Sequence, residues 1–176
     1  FSVLLKLPNL EYLDLSGCTI SSNSMQAIGS LTMLKTLKLN GCALTGIDFM
    51  TQLTSLHELD VSNNIIDNVG IVSLMLDLET VPFANNPVTS IAALATCKQL
   101  KYLDISNCEV SSLASLNGKS QLHTLLAPNN NIATLDDLAQ CTLLEVLDVE
   151  VNLVSDISVL SDLHKNVHIY RKRSLT

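Results

Sequence analysis

The sequence predicts an α/β solenoid, in which short units of strand, turn and helix stack side by side around an aliphatic core. A pattern of apolar positions recurs seven times along the chain, and a second apolar series with helical spacing follows the copies. The composition agrees, because 47% of the residues are hydrophobic but only 3% are aromatic. Aliphatic side chains must therefore fill the interior, as in a regular stack of small units.

The strands are predicted from the first part of the pattern, Leu-x-x-Leu-x-Leu-x-x-Asn-x-Leu. Its seven copies begin at Leu10, Leu34, Leu56, Leu78, Leu100, Leu122 and Leu144. The first step between copies is 24 residues, and the next five steps are each 22 residues. Because alternate residues of a strand point to opposite faces, the Leu, Val, Ile and Phe positions of the pattern are predicted to face inward.

The return segments are predicted from apolar residues three positions apart, as at Ile132, Leu135 and Leu138. This spacing indicates one or two turns of α- or 3-10 helix. The longer first step leaves room for a fuller helix, for which Ser24 is a candidate N-cap.

The beginning of the chain matches the tail of an earlier unit, through Val3, Leu4 and Leu7. The chain also opens inside an apolar run and without Met. We therefore expect it to be a fragment of a longer protein.

The end of the chain departs from the pattern. Ile169 falls where the next strand is due, but the following inward position is Arg171. Residues 167–170 are therefore predicted to form a last, degenerate strand. On this interpretation the chain is a single domain, with seven repeats over 8–160 and a degenerate cap over 161–176.

These repeats resemble the leucine-rich repeat family over nearly the whole chain. The 22-residue copies look like the short class found in a protein phosphatase 1 regulatory subunit and in bacterial internalins. The resemblance implies a right-handed solenoid with a curved parallel β-sheet on its concave face. It also implies short α- or 3-10 helices on the convex face, and a role as a protein-binding scaffold.

The charge distribution argues against a nucleic-acid partner. The formal net charge is -7, and residues 1–164 hold only six Lys or Arg against 17 Asp or Glu. Nucleic-acid binders usually show the reverse balance. A basic tail follows, made of Lys165, Arg171, Lys172 and Arg173, which we interpret as a solvated end or the start of a linker. No apolar run reaches the ~18 residues of a membrane span, so no membrane partner is expected.

The five cysteines are predicted to be structural free thiols. Cys18, Cys42 and Cys108 occupy the Asn position of the pattern, which faces inward and satisfies backbone groups. Cys97 and Cys141 lie on the buried return path, two repeats or about 10 Å apart and too far to form a disulfide. A disulfide between the neighbouring Cys18 and Cys42 is the less favoured alternative. Reduced thiols indicate a reducing compartment, so we predict a cytoplasmic location.

No catalytic or metal site is recognisable in the sequence. His57 and His123 lie three repeats apart, and a helix is expected to end before His168, which would separate it from His164. No Ser has a His and an Asp predicted to converge on it, and no Gly-rich phosphate loop is present. We therefore expect no enzymatic activity, no cofactor, no metal and no small-molecule substrate.

The repeat register predicts which side chains stand on the outer face of the sheet, in three columns. The first column is Tyr12, Thr36, Glu58, Thr80, Tyr102, Thr124 and Val146. The second column is Asp14, Lys38, Asp60, Pro82, Asp104, Leu126 and Asp148. The third column is Ser16, Asn40, Ser62, Ala84, Ser106, Pro128 and Glu150. We call these residues together the concave face.

Six carboxylates on the concave face stand against the single Lys38. Such a field attracts Lys or Arg side chains of a partner. The candidate ligand-binding residues are Tyr12, Asp14, Lys38, Glu58, Asp60, Pro82, Tyr102, Asp104, Leu126, Val146, Asp148 and Glu150.

Apolar side chains are predicted to surround Tyr102 within this acidic field. They are Leu126, Pro128, Val146, Pro82 and Ala84. Exposed apolar groups beside a tyrosine are typical of the centre of an interface. Pro82 and Pro128 are each predicted to remove a backbone hydrogen-bond donor from the sheet, which also indicates a surface adapted for binding.

The sequence therefore predicts a rigid protein-interaction module whose acidic concave face binds a basic segment carrying an apolar anchor. Simpler explanations stay open. The aspartates can serve only to keep the sheet soluble, and the exposed apolar residues can result from divergence of the repeat sequence. One alternative function is an architectural spacer or self-association segment. Another is the substrate-recognition part of a larger enzyme or effector.

Overall fold

The computed structural model describes residues 2–163 and 168–170. Eight parallel strands form one open sheet, in which each strand pairs with the next one along the chain. The strands are β1 (Tyr12–Asp14), β2 (Thr36–Lys38), β3 (Glu58–Asp60), β4 (Thr80–Pro82), β5 (Tyr102–Asp104), β6 (Thr124–Leu126), β7 (Val146–Asp148) and β8 (His168–Tyr170). The predicted solenoid with its parallel sheet is therefore confirmed.

The return segments are short helices on the opposite side of the sheet. The 3-10 helices are Ser2–Lys6, Asp48–Met50, Gly70–Leu74, Ala92–Thr96, Ala114–Leu116, Asp136–Leu138 and Ser158–Asp162. In the described part of the chain, none of the helices combines the length and the apolar content that a membrane crossing requires.

The longer first step forms the α-helix α1 (Ser22–Gly29), as predicted. The choice of Ser24 as its N-cap is wrong, because Ser21 is the capping residue and its Oγ accepts the Ser24 N–H at 3.3 Å. Ser24 instead lies buried in the first turn. The helix ends at Gly29, where a Cβ would collide with the carbonyl oxygen of Phe49, so the close approach of the next return segment requires glycine.

The core is a continuous column of aliphatic side chains between the sheet and the helices. The central residues of β2 to β7 are all 0% exposed, namely Leu37, Leu59, Val81, Leu103, Leu125 and Leu147. Leu13 and Leu15 of the first repeat are only partly buried, because β1 is the edge strand of the described sheet. Burial therefore depends on a neighbouring repeat on each side.

The asparagine position of the pattern satisfies backbone groups, as predicted, and it also ties adjacent repeats together. Asn64 Oδ1 accepts the N–H groups of Cys42 and Leu44 at 3.0 and 2.9 Å. Its Nδ2 donates to the carbonyl oxygens of Leu39 and Val61 at 2.9 and 2.8 Å. Equivalent bonds to the preceding repeat are made by Asn86, Asn130 and Asn152.

Cysteines at the same position follow this role except in the first repeat. Buried Cys42 donates its thiol to the Leu15 carbonyl at 3.2 Å, and buried Cys108 donates to the Phe83 carbonyl at 3.6 Å. Cys18 is exposed, so the prediction that it faces a covered interior is wrong. The reason is its place at the edge repeat, where no described strand stacks before β1.

The return path carries a buried lysine that the sequence analysis did not single out. Lys119 is 1% exposed and occupies the position of Cys97 and Cys141 in the neighbouring repeats, both of which are buried as predicted. Its Nζ donates to the carbonyl oxygens of Leu94, Ala95 and Cys97 at 2.7, 3.2 and 2.6 Å. Burial lowers the pKa of Lys119. The ammonium thus satisfies carbonyls at the end of one 3-10 helix.

The turn after each of the strands β1 to β7 has a left-handed backbone. Positive φ occurs there at Gly17, Gly41, Asn63, Asn85, Asn107, Asn129 and Val151. The amides of the four asparagines form a hydrogen-bonded row, with Nδ2 to Oδ1 distances of 2.9, 2.8 and 3.0 Å between successive repeats. Asparagine adopts this conformation at little cost, whereas a β-branched residue such as Val151 is strained in it.

The last strand confirms the predicted alignment, because Ile169 pairs with Leu147. Ile169 is 39% exposed, as expected for a degenerate repeat at the edge. The residues outside the described ranges include His164, Val167 and the four residues of the basic tail, Lys165, Arg171, Lys172 and Arg173.

Candidate functional site

The strand register assembles the concave face. Eleven of the twelve predicted site residues flank the central residue of β1 to β7, and Glu150 lies two residues after the end of β7. Adjacent strands pair within columns, for example Tyr102 with Thr124 and Asp104 with Leu126. The structure therefore brings all twelve residues to one side of the sheet, most of them half-buried.

The third column contributes less surface than predicted. Ala84 is 7% exposed and Ser62 is 6% exposed, so both are buried. The prediction that Ala84 presents an apolar group around Tyr102 is therefore wrong, because its single methyl does not rise above its neighbours. Pro82, Leu126, Pro128 and Val146 remain half-exposed.

The second-column aspartates are bound to their own backbone, a role that the sequence analysis missed. In four repeats the Asp Oδ1 accepts the N–H of the residue two positions later. The pairs are Asp14 with Ser16 at 2.9 Å, Asp60 with Ser62 at 3.0 Å, Asp104 with Ser106 at 2.9 Å, and Asp148 with Glu150 at 3.0 Å. This bond lowers the pKa of Asp14. Among the described residues, Oδ2 of these four carboxylates has no hydrogen-bond partner.

This bonding pattern corrects the interpretation of Pro128. In four of the other repeats, the third-column N–H is bound by the Asp side chain and not by the sheet. Pro128 therefore removes no donor from the ladder. Pro82 does disturb it, since β3 and β4 share only the pair Glu58 with Thr80, whereas β2 and β3 share three pairs.

Lys38, the single cation among the predicted site residues, is already paired. Its Nζ lies 2.9 Å from Glu58 Oε1, and both side chains are 30% exposed. The hydrogen bond that Lys38 donates to the Glu58 carboxylate raises the pKa of Lys38. Within residues 2–163 and 168–170, no ion pair engages Asp60, Asp104, Asp148 or Glu150, so their charge is open to a partner.

Tyr102 lies half-buried between these charges. Burial raises the pKa of its hydroxyl, and the negative charges of Asp104 and Asp60 raise it further. The phenol is therefore a neutral hydrogen-bond donor at physiological pH. Leu126 and Val146, on the next two strands, continue the apolar surface beside it.

Metal-ligating and titratable side chains are dispersed. In the part of the chain described by the structure, no three His, Cys, Asp or Glu side chains are grouped to hold a metal ion. The Nδ1 atoms of His57 and His123 each contact a backbone oxygen two residues earlier, at 2.9 and 2.6 Å.

The turn edge beside the concave face carries a second feature that sequence reasoning missed. A shallow depression there is lined partly by the asparagine row, at Asn85, Asn107 and Asn129. The doubled asparagines at 63–64, 85–86 and 129–130 are the signal that identifies this row in the sequence.

Two family profiles of leucine-rich repeats match the sequence. The profile described as Leucine Rich repeats (2 copies) covers residues 32–73, and the profile described as Leucine Rich repeat covers residues 6–29. A comparison with curated proteins finds no match.

Solved structures share the fold. Internalin C2 from Listeria monocytogenes superposes with a TM-score of 0.92 at 28% identity, over 96% of this chain and 74% of that chain. A leucine-rich repeat protein of Leptospira interrogans gives a TM-score of 0.83 at 23% identity, over 98% of this chain and 45% of that one.

A plant peptide hormone receptor, RGFR1 in complex with RGF2, gives a TM-score of 0.79 at 24% identity, over 96% of this chain and 30% of that chain. The chain therefore spans less than half of the Leptospira and plant structures. The seven-fold register, the solenoid and the matching profiles agree: the chain is a leucine-rich repeat protein.

Proposed function

We propose that this chain is a non-catalytic protein-interaction module whose concave face binds a basic segment of another protein. The observation that carries the proposal is a half-exposed apolar group beside acidic side chains. Leu126 lies between Asp104 and Asp148, which have no ion pair within the described residues, and Tyr102 and Val146 lie in the neighbouring column. An apolar centre with a charged surround is the arrangement expected of an interface.

The carboxylates suit this role because they are held in place before a partner arrives. The backbone N–H of Ser106 fixes Oδ1 of Asp104, and the N–H of Glu150 fixes Oδ1 of Asp148. A side chain that is already ordered loses less conformational entropy on binding. Charges of one sign also accelerate the approach of a partner with the opposite sign.

The similar structures support a protein partner at the level of the family. The plant receptor is described in complex with RGF2, and it shares this fold. A parallel sheet whose outer side is lined by half-exposed side chains offers one broad surface to a ligand, since the repeats place equivalent positions in rows.

The test compares Tyr102→Glu and Leu126→Glu with the unmodified chain in partner capture, followed by a dissociation constant for the purified partner. Each variant puts an unpartnered carboxylate at the apolar centre, so we expect partner binding to weaken by at least about tenfold. Leu76→Glu is the matched control, because Leu76 is 56% exposed outside the concave face. Unchanged binding by Tyr102→Glu and Leu126→Glu would contradict the proposed surface and favour an architectural role.

We also propose that the protein works in a reducing, cytoplasmic compartment. All five cysteines are free, and four of them are buried in the core. Free buried thiols are typical of proteins that fold under reducing conditions. Labelling with a thiol reagent under denaturing conditions, directly after lysis of the native cells, is expected to modify all five cysteines. Cysteines that escape labelling because they are already oxidised would contradict this location.

A further inference from the structure

The second column of the concave face alternates strictly between aspartate and other residues. Every other strand carries an aspartate, at Asp14, Asp60, Asp104 and Asp148. The strands between and after them carry Lys38, Pro82, Leu126 and Tyr170. The strand register places all eight positions in one row across the sheet. Between β3 and β4, where Asp60 and Pro82 are not themselves paired, the pair Glu58 with Thr80 sets this register.

The alternation sets a fixed distance between charges. Neighbouring strands lie about 4.8 Å apart, so carboxylates on alternate strands recur at about 9.6 Å along the solenoid. Uncharged Pro82 separates Asp60 from Asp104, and uncharged Leu126 separates Asp104 from Asp148. Lys38, paired with Glu58, separates this run of three from Asp14.

The carboxylates also share one orientation. Asp60, Asp104 and Asp148 each direct Oδ1 to the backbone N–H two residues later. Their Oδ2 atoms have no hydrogen-bond partner in the described ranges, and the same bond geometry repeats along the row. The row therefore offers a ladder of fixed acceptors and not three independently mobile side chains.

A polyproline II segment matches this spacing. It has three residues per turn and rises about 3.1 Å per residue, so every third side chain lies on one face at about 9.3 Å intervals. An α-helix returns to the same face after seven residues, or about 10.5 Å, and drifts out of register with the ladder. In a β-strand, side chains three residues apart point to opposite faces.

The flanking residues fit the same ligand. The two side chains between successive cations of such a segment point sideways, toward the first and third columns. Half-buried Tyr102 and Val146 stand in the first column, and Pro128 stands in the third. Aromatic and apolar walls of this kind are common in surfaces that recognise proline-rich segments.

We propose that the concave face binds an extended polyproline II segment with Lys or Arg at every third residue, lying along the row of Asp60, Asp104 and Asp148. The inference rests on the proposed function and specifies the class of partner. Each cation faces one aspartate, and the residues between them contact Tyr102, Val146 and Pro128.

The test uses two synthetic peptides of identical composition, each with three lysines among prolines. One has a lysine at every third position, and the other has its three lysines adjacent at one end. Both peptides have the same charge and the same composition, so the arrangement of the lysines is the difference that is tested. In titration calorimetry at low salt we expect the spaced peptide to bind about two- to thirtyfold more tightly, since it can form two more exposed ion pairs and each contributes about 0.2–1 kcal/mol.

A triple variant, Asp60→Asn, Asp104→Asn and Asp148→Asn, tests the contribution of the three aspartate charges. Asparagine keeps an oxygen for the backbone N–H, so the fold is preserved while three charges are lost. We expect this variant to bind both peptides equally weakly. The control is Asp67→Asn, Asp77→Asn and Asp136→Asn, three exposed aspartates outside the concave face, and it should keep the preference.

The outcomes separate this inference from the proposed function. Equal affinity of the unmodified chain for both peptides overturns the inference that the lysine spacing is recognised, but it remains consistent with a cation-binding concave face. Failure of both peptides to bind also overturns the inference, whereas the proposed function is then decided by Tyr102→Glu and Leu126→Glu with the protein partner. A preference that survives in the triple aspartate variant places the binding site elsewhere and likewise overturns it.

Discussion

Oδ1 of Asp104 lies 2.9 Å from the backbone nitrogen of Ser106 and accepts its N–H. In the next repeat the same two positions are Leu126 and Pro128, a side chain without an acceptor and a backbone nitrogen without a donor. The two changes compensate each other, because no N–H is left without a partner. An apolar side chain can therefore occupy the concave face there at little structural cost.

The aspartate bond is expected to contribute measurably to stability. Replacement Asp104→Ala leaves the Ser106 N–H without its partner, so we expect the free energy of unfolding to fall by about 1 kcal/mol. Asp104→Asn keeps an acceptor and should cost clearly less. Urea denaturation followed by circular dichroism measures both. Equal losses for the two variants would show that the carboxylate charge, and not the hydrogen bond, is responsible.

A second prediction concerns the strained turn after β7. Val151 has φ 53°, in a row where four repeats carry asparagine at φ 54° to 57°. A β-branched side chain is disfavoured in this region by about 1–2 kcal/mol, so Val151→Asn should raise the free energy of unfolding by about 1 kcal/mol. Leu153→Asn, at a neighbouring residue 68% exposed, is the control and should change little. A loss of stability in Val151→Asn would contradict the strain.

The fold was predictable because the repeat length is constant. An orientation inferred for one position of the repeat therefore applies to the same position in every copy. Once Leu37 is assigned to the interior, the 22-residue step assigns Leu59, Val81 and their successors to it as well. The same register predicted the columns of the concave face. Predictions failed where burial depends on the place of a repeat in the stack. Cys18 occupies a position that is buried in other repeats, but its own repeat lies at the edge of the described sheet, so Cys18 is exposed.

The chemistry within the turns was not predictable from periodicity. The roles of Asp104 and Ser106 depend on a backbone angle that brings an N–H to a carboxylate two residues earlier. Lys119 stands at a position where other repeats carry apolar residues, and its three carbonyl partners converge only in the folded chain. Hydrogen bonds of this kind follow from local geometry, which a pattern of apolar positions does not contain.

The third prediction tests Lys119. Lys119→Met keeps the approximate volume but removes the donor, leaving the carbonyls of Leu94, Ala95 and Cys97 without this partner. We expect the free energy of unfolding to fall by about 1–3 kcal/mol, the usual cost of unsatisfied buried polar groups. Lys98→Met, at an exposed lysine, is the control for loss of one positive charge. A Lys119→Met chain as stable as the control would show that the carbonyls do not depend on this ammonium.

The last prediction concerns alkaline pH. Burial raises the pKa of the Cys141 thiol from 9.0 to about 11 in the folded chain. Below pH 9.0 the thiol is protonated in both states, so its contribution to stability is fully present. Above pH 9.0 the unfolded chain loses this proton first, and the free energy of unfolding should fall by about 1.4 kcal/mol per pH unit until pH about 11.

Urea denaturation of the unmodified chain and of Cys141→Ala, between pH about 8 and about 10.5, measures the two slopes. The variant is expected to start less stable, because it leaves a cavity, but to lose stability less steeply. Parallel slopes would mean that the folded protein does not hold the Cys141 proton.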